Sequence, residues 1–296
     1  MKMQNNSLSV IIINYRQINL LFDCIKSVYD AFAGNSFEVI IINNSPEENP
    51  DKLSADYPGI KIINNENKGF SQANNLGVKI STGEYLLFLN CDTIVKNNFF
   101  PDLIKEFGNN DFGAAGLKLF YPDGSFQLSF WRENTFFNEI KNKKEEKYFY
   151  GRLKNYASKV ENEFNKVKEV DWVSGAALFM RRKVFEKISG FDESFFLFYE
   201  DADLCKRLKS SGYKIYFFPY SRIIHYKGEN INPDFQKSTY YYSKKSQLYY
   251  YKKHNNLFNK LMLRFYLLLK FGLLALLHPG SIYWKIFKLT MGVGND

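Results

Sequence analysis

Four short stretches of this 296-residue chain carry side chains able to do chemistry. The first is Asn90-Cys-Asp92-Thr93, directly after an apolar run that ends at Leu89. A carboxylate at the end of a central strand can bind Mg²⁺ or Mn²⁺, which prefer oxygen ligands and keep waters and substrate phosphates in their shell. Such an aspartate is more commonly a turn or cap residue. The second is Tyr199-Glu-Asp-Ala-Asp203, opening a helix. The helix dipole favours acids in a first turn. That accounts for one or two of the three, but not for their place after the aromatic run Phe195-Phe-Leu-Phe-Tyr199. An acid against apolar walls holds its proton more tightly and becomes a better base. The third is His225, one of three histidines, at the end of a β-like run. A lone histidine is more often structural, but neutral imidazole also ligates Mn²⁺-type metals. The fourth is the polar loop Asn64 to Asn75, with Gly69, leading into a helix whose N-terminal N–H groups suit a phosphate. It is neither a P-loop nor a GxGxxG turn.

These residues need a frame. Leu8 to Tyr15, Phe37 to Ile42, Ile60 to Ile63 and Glu84 to Leu89 read as strands, and Ile18 to Phe32 and Phe70 to Ile80 as helices. The alternation predicts βαβ units in a parallel sheet. Ligands of such sheets bind beyond the strands' carboxyl ends, where Asn14, Asn43, Asn44, Asn90 and Asp92 all fall. Residues 131–168 form a Lys/Glu-rich, partly helical excursion. A short helix follows at Arg181 to Ile188, and another at Ala202 to Ser211 with Gly212 as its C-cap. Lys214 to Pro219 and Ile223 to His225 read as two strands, and the chain from Asp234 onward as helices.

Composition narrows the class. The chain is 45% hydrophobic and 24% charged, which excludes global disorder and a polytopic membrane protein. Cys24, Cys91 and Cys205 are far apart and form no CxxC pair, which argues against zinc or a disulfide framework. The polar start Met1 to Ser7 lacks a secretory signal, so a cytoplasmic protein is expected. The net charge of +9 first suggests a polyanionic partner. It is unevenly placed: residues 206–296 hold 16 Lys and Arg against 3 Asp and Glu, whereas residues 1–118 hold 10 against 13.

Taken in order, Ile12-Ile-Asn-Tyr15, Ile42-Asn-Asn-Ser45, Asn67-Lys-Gly-Phe70, Asn74-Asn-Leu-Gly77, Phe88-Leu-Asn-Cys-Asp92, Gly175-Ala176, Gly190-Phe-Asp-Glu193, Glu200-Asp-Ala-Asp-Leu204 and His225 resemble the family 2 glycosyltransferases, most closely the bacterial rhamnosyltransferase-like branch. The resemblance spans about Ser7 to Lys253. It implies a GT-A fold: a nucleotide-binding αβα sandwich with a mostly parallel central sheet, plus a C-terminal helical extension. It implies a domain over residues 1–230, with a nucleotide-sugar half at 1–118 and an acceptor half at 119–230, then a basic tail at 231–296. The implied reaction is inverting transfer of a sugar from a nucleotide diphosphate (dTDP-, UDP- or GDP-linked) to a hydroxyl of a glycan or lipid-linked acceptor in surface polysaccharide synthesis.

Residue by residue, Asp201 matches the general base, and Asp92 with His225 the holders of a divalent cation, Mg²⁺ or Mn²⁺. Asn14, Asn43, Asn67, Gly69, Asn75, Asn90 and Asp92 match positions around the nucleotide sugar. Trp172, Gly175, Ala176 and Glu200 match the sugar and acceptor side. Two departures matter. Asn43-Asn44 stands where the family often has Asp-Asn, and Asn90-Cys-Asp92 keeps one acid of the family's DxD. The alternatives are a non-catalytic nucleotide-sugar or carbohydrate-binding module of the same fold and a sugar-nucleotide nucleotidyltransferase, for which no Gly-rich phosphate loop is present near the N-terminus.

The tail has its own readings. Tyr240 to Lys253 interleaves Tyr and Lys, which could stack nucleic-acid bases. The preferred reading is a helix whose tyrosines cover the sheet while lysines point outward, with no nucleic acid as partner. Leu257 to Leu277 has the length of a membrane span, but Lys260, Arg264 and Lys270 interrupt it. Residues 257–290 then read as an interfacial segment on an anionic inner-membrane surface, placing the protein peripherally at the cytoplasmic face. The alternatives are packing on the protein's own core or a homodimer interface.

Overall fold

A computed structural model describes residues 7–57, 59–108, 112–151, 164–227 and 233–293. Residues 152–163 of the Lys/Glu-rich excursion lie outside the described residues. The strands are β1 (Leu8–Asn14), β2 (Phe37–Asn43), β3 (Lys61–Asn64), β4 (Tyr85–Asn90), β5 (Thr93–Val95), β6 (Phe112–Phe120), β7 (Phe126–Gln127), β8 (Phe130–Trp131), β9 (Lys168–Val170), β10 (Trp172–Val173), β11 (Ala177–Arg181) and β12 (Lys214–His225). The helices are α1 (Ile18–Phe32), α2 (Lys52–Asp56), α3 (Phe70–Ile80), α4 (Phe100–Phe107), α5 (Phe136–Gly151), α6 (Arg182–Lys187), α7 (Glu200–Ser210), α8 (Pro233–His254), α9 (Leu257–Leu277) and α10 (Ile282–Met291).

β1 is buried at every position, as a β-branched run between two helical layers must be. Its alternate residues divide two cores. Val10 and Ile12 pack with Leu21, Cys24 and Phe107 on one face; Ile11 and Ile13 pack with Ala73 and Leu204 on the other. The expected αβα layering follows. The sheet order is β3-β2-β1-β4-β11-β6-β12-β5, with β7 and β9 alongside β6 and β12. β3, β2, β1 and β4 are parallel. β11 then enters antiparallel to both β4 and β6, so the sheet is parallel through its N-terminal strands and mixed beyond them.

Two local expectations are corrected. Lys214 to His225 is one strand, not two. Pro219 has no N–H to give the ladder, so the register slips between Phe218 and Ile223, and Ser221 Oγ accepts from Lys118 N–H at 2.8 Å inside the slip. Helix α7 begins at Glu200 rather than Ala202, and Gly212 follows its C-cap Ser211 with φ +86°.

The tail forms a third core. Tyr250 and Tyr251 are buried against Phe195 and Ala202, with Leu263, Leu267, Phe271 and Ile286 behind them. The Tyr-rich helix therefore covers the segment around α7 rather than the sheet, and its lysines are not all outward. Lys244 is buried, and Lys253 Nζ lies 2.6 Å from both Asp192 and Asp203. In α9 the buried stripe is Leu263, Leu267, Phe271 and Ala275, while Arg264 and Lys270 are exposed; Arg264 Nε donates to Thr290 O at 3.0 Å, and Lys270 lies over the Phe271 ring. Phe258, Leu261, Phe265, Leu269, Leu273 and Leu276 are left exposed in one row at i+3 and i+4 spacing. No described helix is long and apolar enough to cross a membrane.

β6 and β10 approach closely because Gly116 lacks a side chain; a Cβ there would lie 2.3 Å from Val173 Cβ. Gly116→Ala must push β10 outward, so urea unfolding is expected to show a loss of about 1–3 kcal/mol.

Candidate active site

β4 and β12 deliver two groups to one point. His225 pairs with Thr93 across β12 and β5, and Tyr226 N–H donates to Asp92 O at 2.9 Å. His225 Nε2 then lies 3.3 Å from Asp92 Oδ1. The hydrogen-bond network assigns the imidazole tautomer. Gln127 Nε2 donates to His225 O at 3.4 Å, which turns Gln127 Oε1 toward His225 Nδ1 at 2.6 Å. An acceptor there requires a proton on Nδ1, and Nε2 faces Asp92 Oδ1 and, at 3.4 Å, Asn90 Nδ2. One carboxylate oxygen and one imidazole nitrogen side by side suit a cation of the Mg²⁺ or Mn²⁺ type that completes its shell from elsewhere. Among the described residues no three His, Cys, Asp or Glu side chains converge into a full cage.

The acids come from the N-terminus of α7. Phe198 and Tyr199 both adopt left-handed backbone, with φ +68° and +67°. Each such non-glycine residue costs on the order of 1–3 kcal/mol, and the pair turns the chain so that α7 starts against the β10–β11 loop. Asp201 Oδ2 accepts from Gly175 N–H at 3.0 Å, and Oδ1 accepts from Ala202 N–H at 2.8 Å. Burial raises the Asp201 pKa above the ordinary aspartate value, while those two bonds pull the other way. Glu200 has less support, from its own backbone N–H alone. It is 6% exposed, and its Oε2 has no donor. Burial first, then the charges of Asp201 and Asp203, push its carboxyl well above the usual range. Of the two, Glu200 holds its proton more tightly and Asp201 is the more readily ionised. Asp203 is different again. Burial opposes its charge, but His254, Arg207 and Lys253 hold it below the ordinary value, so it is an ion-pair anchor rather than a cleft acid.

A cleft of about 560 Å³ joins these groups. Asn90, Asp92, Trp172, Gly175, Ala176, Glu200, Asp201 and His225, all singled out from sequence, line it. The remaining sequence candidates do not line it and are engaged in bonds and turns of their own. Asn14 Nδ2 donates to Asn43 Oδ1 at 2.9 Å, and Asn43 Nδ2 donates to Asn64 Oδ1 at 2.8 Å, which laces three strand ends together. Asn67 Oδ1 accepts from Gly69 N–H at 3.2 Å. Gly69, at φ +101°, lets the chain pass Phe196, whose carbonyl oxygen a Cβ would meet at 2.4 Å. Asn75 clamps the turn at Phe191 through bonds of 2.9 and 3.0 Å.

Among the lining residues that the sequence did not single out, Gln127, Trp131 and Glu139 matter most. Gln127 orients His225, and Trp131 stacks on Trp172 with ring centres 4.4 Å apart. Glu139 reaches the cleft from α5. Gln127 and Trp131 belong to two-residue strands too short to leave a periodic signal, and Glu139 sits in a Lys/Glu-rich run that reads as a solvated face.

Comparison with known proteins bears on the family and the fold. Residues 9–189 match the sequence model of Glycosyl transferase family 2, and residues 156–230 match that of the N-terminal domain of galactosyltransferase. Rhamnosyltransferase WbbL of Escherichia coli (strain K12) is 26% identical over 68% of this chain and 77% of its own length. The low-salt glycan biosynthesis hexosyltransferase Agl10 of Haloferax volcanii is 27% identical over 71% of this chain, and the match spans 64% of that protein. In fold, the chain resembles the crystal structure of GalNAc-T7 with UDP, GalNAc and Mn²⁺. The TM-score is 0.55 at 15% identity, covering 83% of this chain and half of that one.

The acid pair makes a pH prediction. A raised folded-state pKa means that the folded chain binds the proton more tightly than the unfolded one. The stabilisation is complete below the unfolded-state pKa and is lost as pH rises through the folded value. Glu200→Gln removes that loss. Its melting temperature relative to the parent chain should therefore rise as pH climbs above the unfolded glutamate value of about 4.3, across the range in which the chain stays folded. A relative melting temperature that stays flat across this range would mean that Glu200 ionises freely.

Proposed function

This chain belongs to glycosyl transferase family 2 and is a glycosyltransferase of GT-A fold, and from that premise we propose that it transfers a sugar with inversion from a nucleotide diphosphate donor to a hydroxyl of a glycan or lipid-linked acceptor. One observation carries the reading: Asp201, the acid positioned to ionise, shares a cleft with the Asp92–His225 pair. The ionised Asp201 takes the proton of the acceptor hydroxyl. That oxygen forms its bond to the anomeric carbon from the face opposite the donor's diphosphate, and the bond from carbon to diphosphate oxygen breaks. A single displacement needs one base, unlike the two carboxylates of glycoside hydrolysis.

Among the described lining residues the cleft is acidic, since Asp92, Glu139, Glu146 and Asp201 face Lys143 and Lys227, with the neutral Glu200 beside them. An anionic diphosphate fits there when a cation accompanies it. Asp92 and His225 would hold that Mg²⁺ or Mn²⁺, which supplies Lewis-acid stabilisation of the departing diphosphate. Glu200, neutral, presents a hydrogen-bond donor to the acceptor side beside Trp172 and Gly175. Asn14, Asn43, Asn67, Gly69 and Asn75 act from outside the lining, fixing the strand ends and loop on which the nucleotide rests. The likeness to WbbL favours a rhamnosyl donor, and the likeness to Agl10 a role in glycan synthesis.

The exposed row on α9 gives the proposed location. Its outward face carries this apolar row, and Arg264 and Lys270 of the same helix, with Lys285 and Lys288 of the adjoining α10, are exposed. An amphipathic helix of that kind settles on an anionic bilayer, here the cytoplasmic face of the inner membrane, where a lipid-linked acceptor is within reach.

Two experiments test these readings. Asp201→Asn should lower transfer by about 10²–10⁴-fold. Binding of a nucleotide sugar with Mn²⁺, read by thermal shift across dTDP-, UDP- and GDP-sugars, should stay within a few fold. Near-normal turnover would remove Asp201 as the base. The full chain should pellet with phosphatidylglycerol vesicles more than with phosphatidylcholine vesicles. Equal pelleting would remove the electrostatic contribution, and a concentration-dependent dimer with no pelleting would assign the α9 face to a second copy.

A further inference from the structure

We infer that Glu139, on α5, is a positioning residue for the proposed reaction, acting on the base Asp201 through Tyr199; the inference rests on the reading of Asp201 given above. Tyr199 stands two residues before Asp201 in left-handed backbone and is the N-cap of α7. Nothing in the local sequence of Phe198-Tyr199 favours that conformation, because neither residue is Gly, Asn or Asp. Tertiary contacts must impose it. The Tyr199 hydroxyl donates to Glu139 Oε1 at 2.9 Å. Glu139 is itself 7% exposed, and its other oxygen accepts from Gln247 Nε2 of α8. The carboxylate thus sits between α5 and α8 and grips the residue that sets the entry angle of α7. Other bonds hold the same loop but not the same residue: Ser246 Oγ donates to Leu197 O at 2.8 Å, and Phe70 N–H donates to Phe196 O at 2.8 Å. Tyr199 O also accepts from Asp203 N–H at 2.8 Å, which ties its backbone to the first turn that carries Asp201.

The hydroxyl makes the clamp separable from packing. Tyr199→Phe keeps the ring, which lies 5.5 Å from that of Tyr250, and removes only the bond to Glu139. Glu139→Ala removes the clamp from the other side. Two readouts apply to the full chain with Mn²⁺. The first is hydrogen exchange of residues 196–203, which needs no turnover. Both variants should exchange there faster, by roughly 10-fold, with β1 and β4 unchanged. The second is release of nucleoside diphosphate from the dTDP-, UDP- or GDP-sugar that binds best, with water as acceptor. Each variant should lower kcat by roughly 10-fold at unchanged donor KM, and the double variant should be no slower than Glu139→Ala alone. Unaltered exchange at 196–203 in Tyr199→Phe, or losses that multiply in the double variant, would overturn the inference. Asp201→Asn, run in parallel, separates the cases. If it remains active, the reading of the base fails; if it is inactive while Tyr199→Phe behaves as the parent chain, only the clamp fails.

Discussion

One strand reversal governs this molecule. β4 runs toward the cleft, and β11, its neighbour, runs away from it. An antiparallel pair places the end of one strand beside the beginning of the other. The loop after β4 therefore meets the loop before β11, and Asn90 N–H closes the junction on Ala176 O at 2.9 Å. A fully parallel sheet would have sent Gly175 to the opposite edge. Because Gly175 is here, its N–H can reach Asp201, and the acid arriving from α7 comes to rest in the same cleft as Asp92.

Within that cleft, donor supply sorts chemically similar groups. Asp201 has two backbone N–H groups, Glu200 has an oxygen with none, and Asp203 has Arg207, Lys253 and the His254 imidazole. Four residues thus hold an ionisable acid, a proton-keeping acid and a salt-bridge anchor. The same accounting applies to His225, whose Nδ1 is committed by Gln127 so that Nε2 is the nitrogen turned to Asn90 and Asp92 in the cleft. None of these roles is intrinsic to the side chain; each follows from how many partners the backbone brings to it.

That division also marks what the sequence made legible. Strands such as Leu8–Asn14 announce themselves through unbroken burial. The cleft residues Asp92, Asp201 and His225 stand at the ends of elements, where sequence order alone fixes their placement. The asparagines were legible as strand-end residues, but their amides do not reach the cleft: Asn14, Asn43 and Asn64 find each other because the parallel register aligns them. What could not be read depends on contacts across long separations. Tyr199 and Glu139 are 60 residues apart, and His225 and Gln127 are 98 apart. The Tyr-rich helix misled for a related reason. Its periodicity declared a buried face, but not that Phe195 and Ala202, rather than the sheet, would be beneath it.

Asp203 gives the architecture a further property. It stands on the same first turns of α7 as Asp201, facing away from the cleft and held by Lys253 and His254 near the end of α8. α7 is thereby a rigid lever with one arm in the site and the other fastened to the C-terminal helices. The segment beyond residue 230 is not an appendage that recombination could exchange for another anchor. A chimera joined there would inherit a foreign fulcrum, and drift in the tail is coupled to drift in the site.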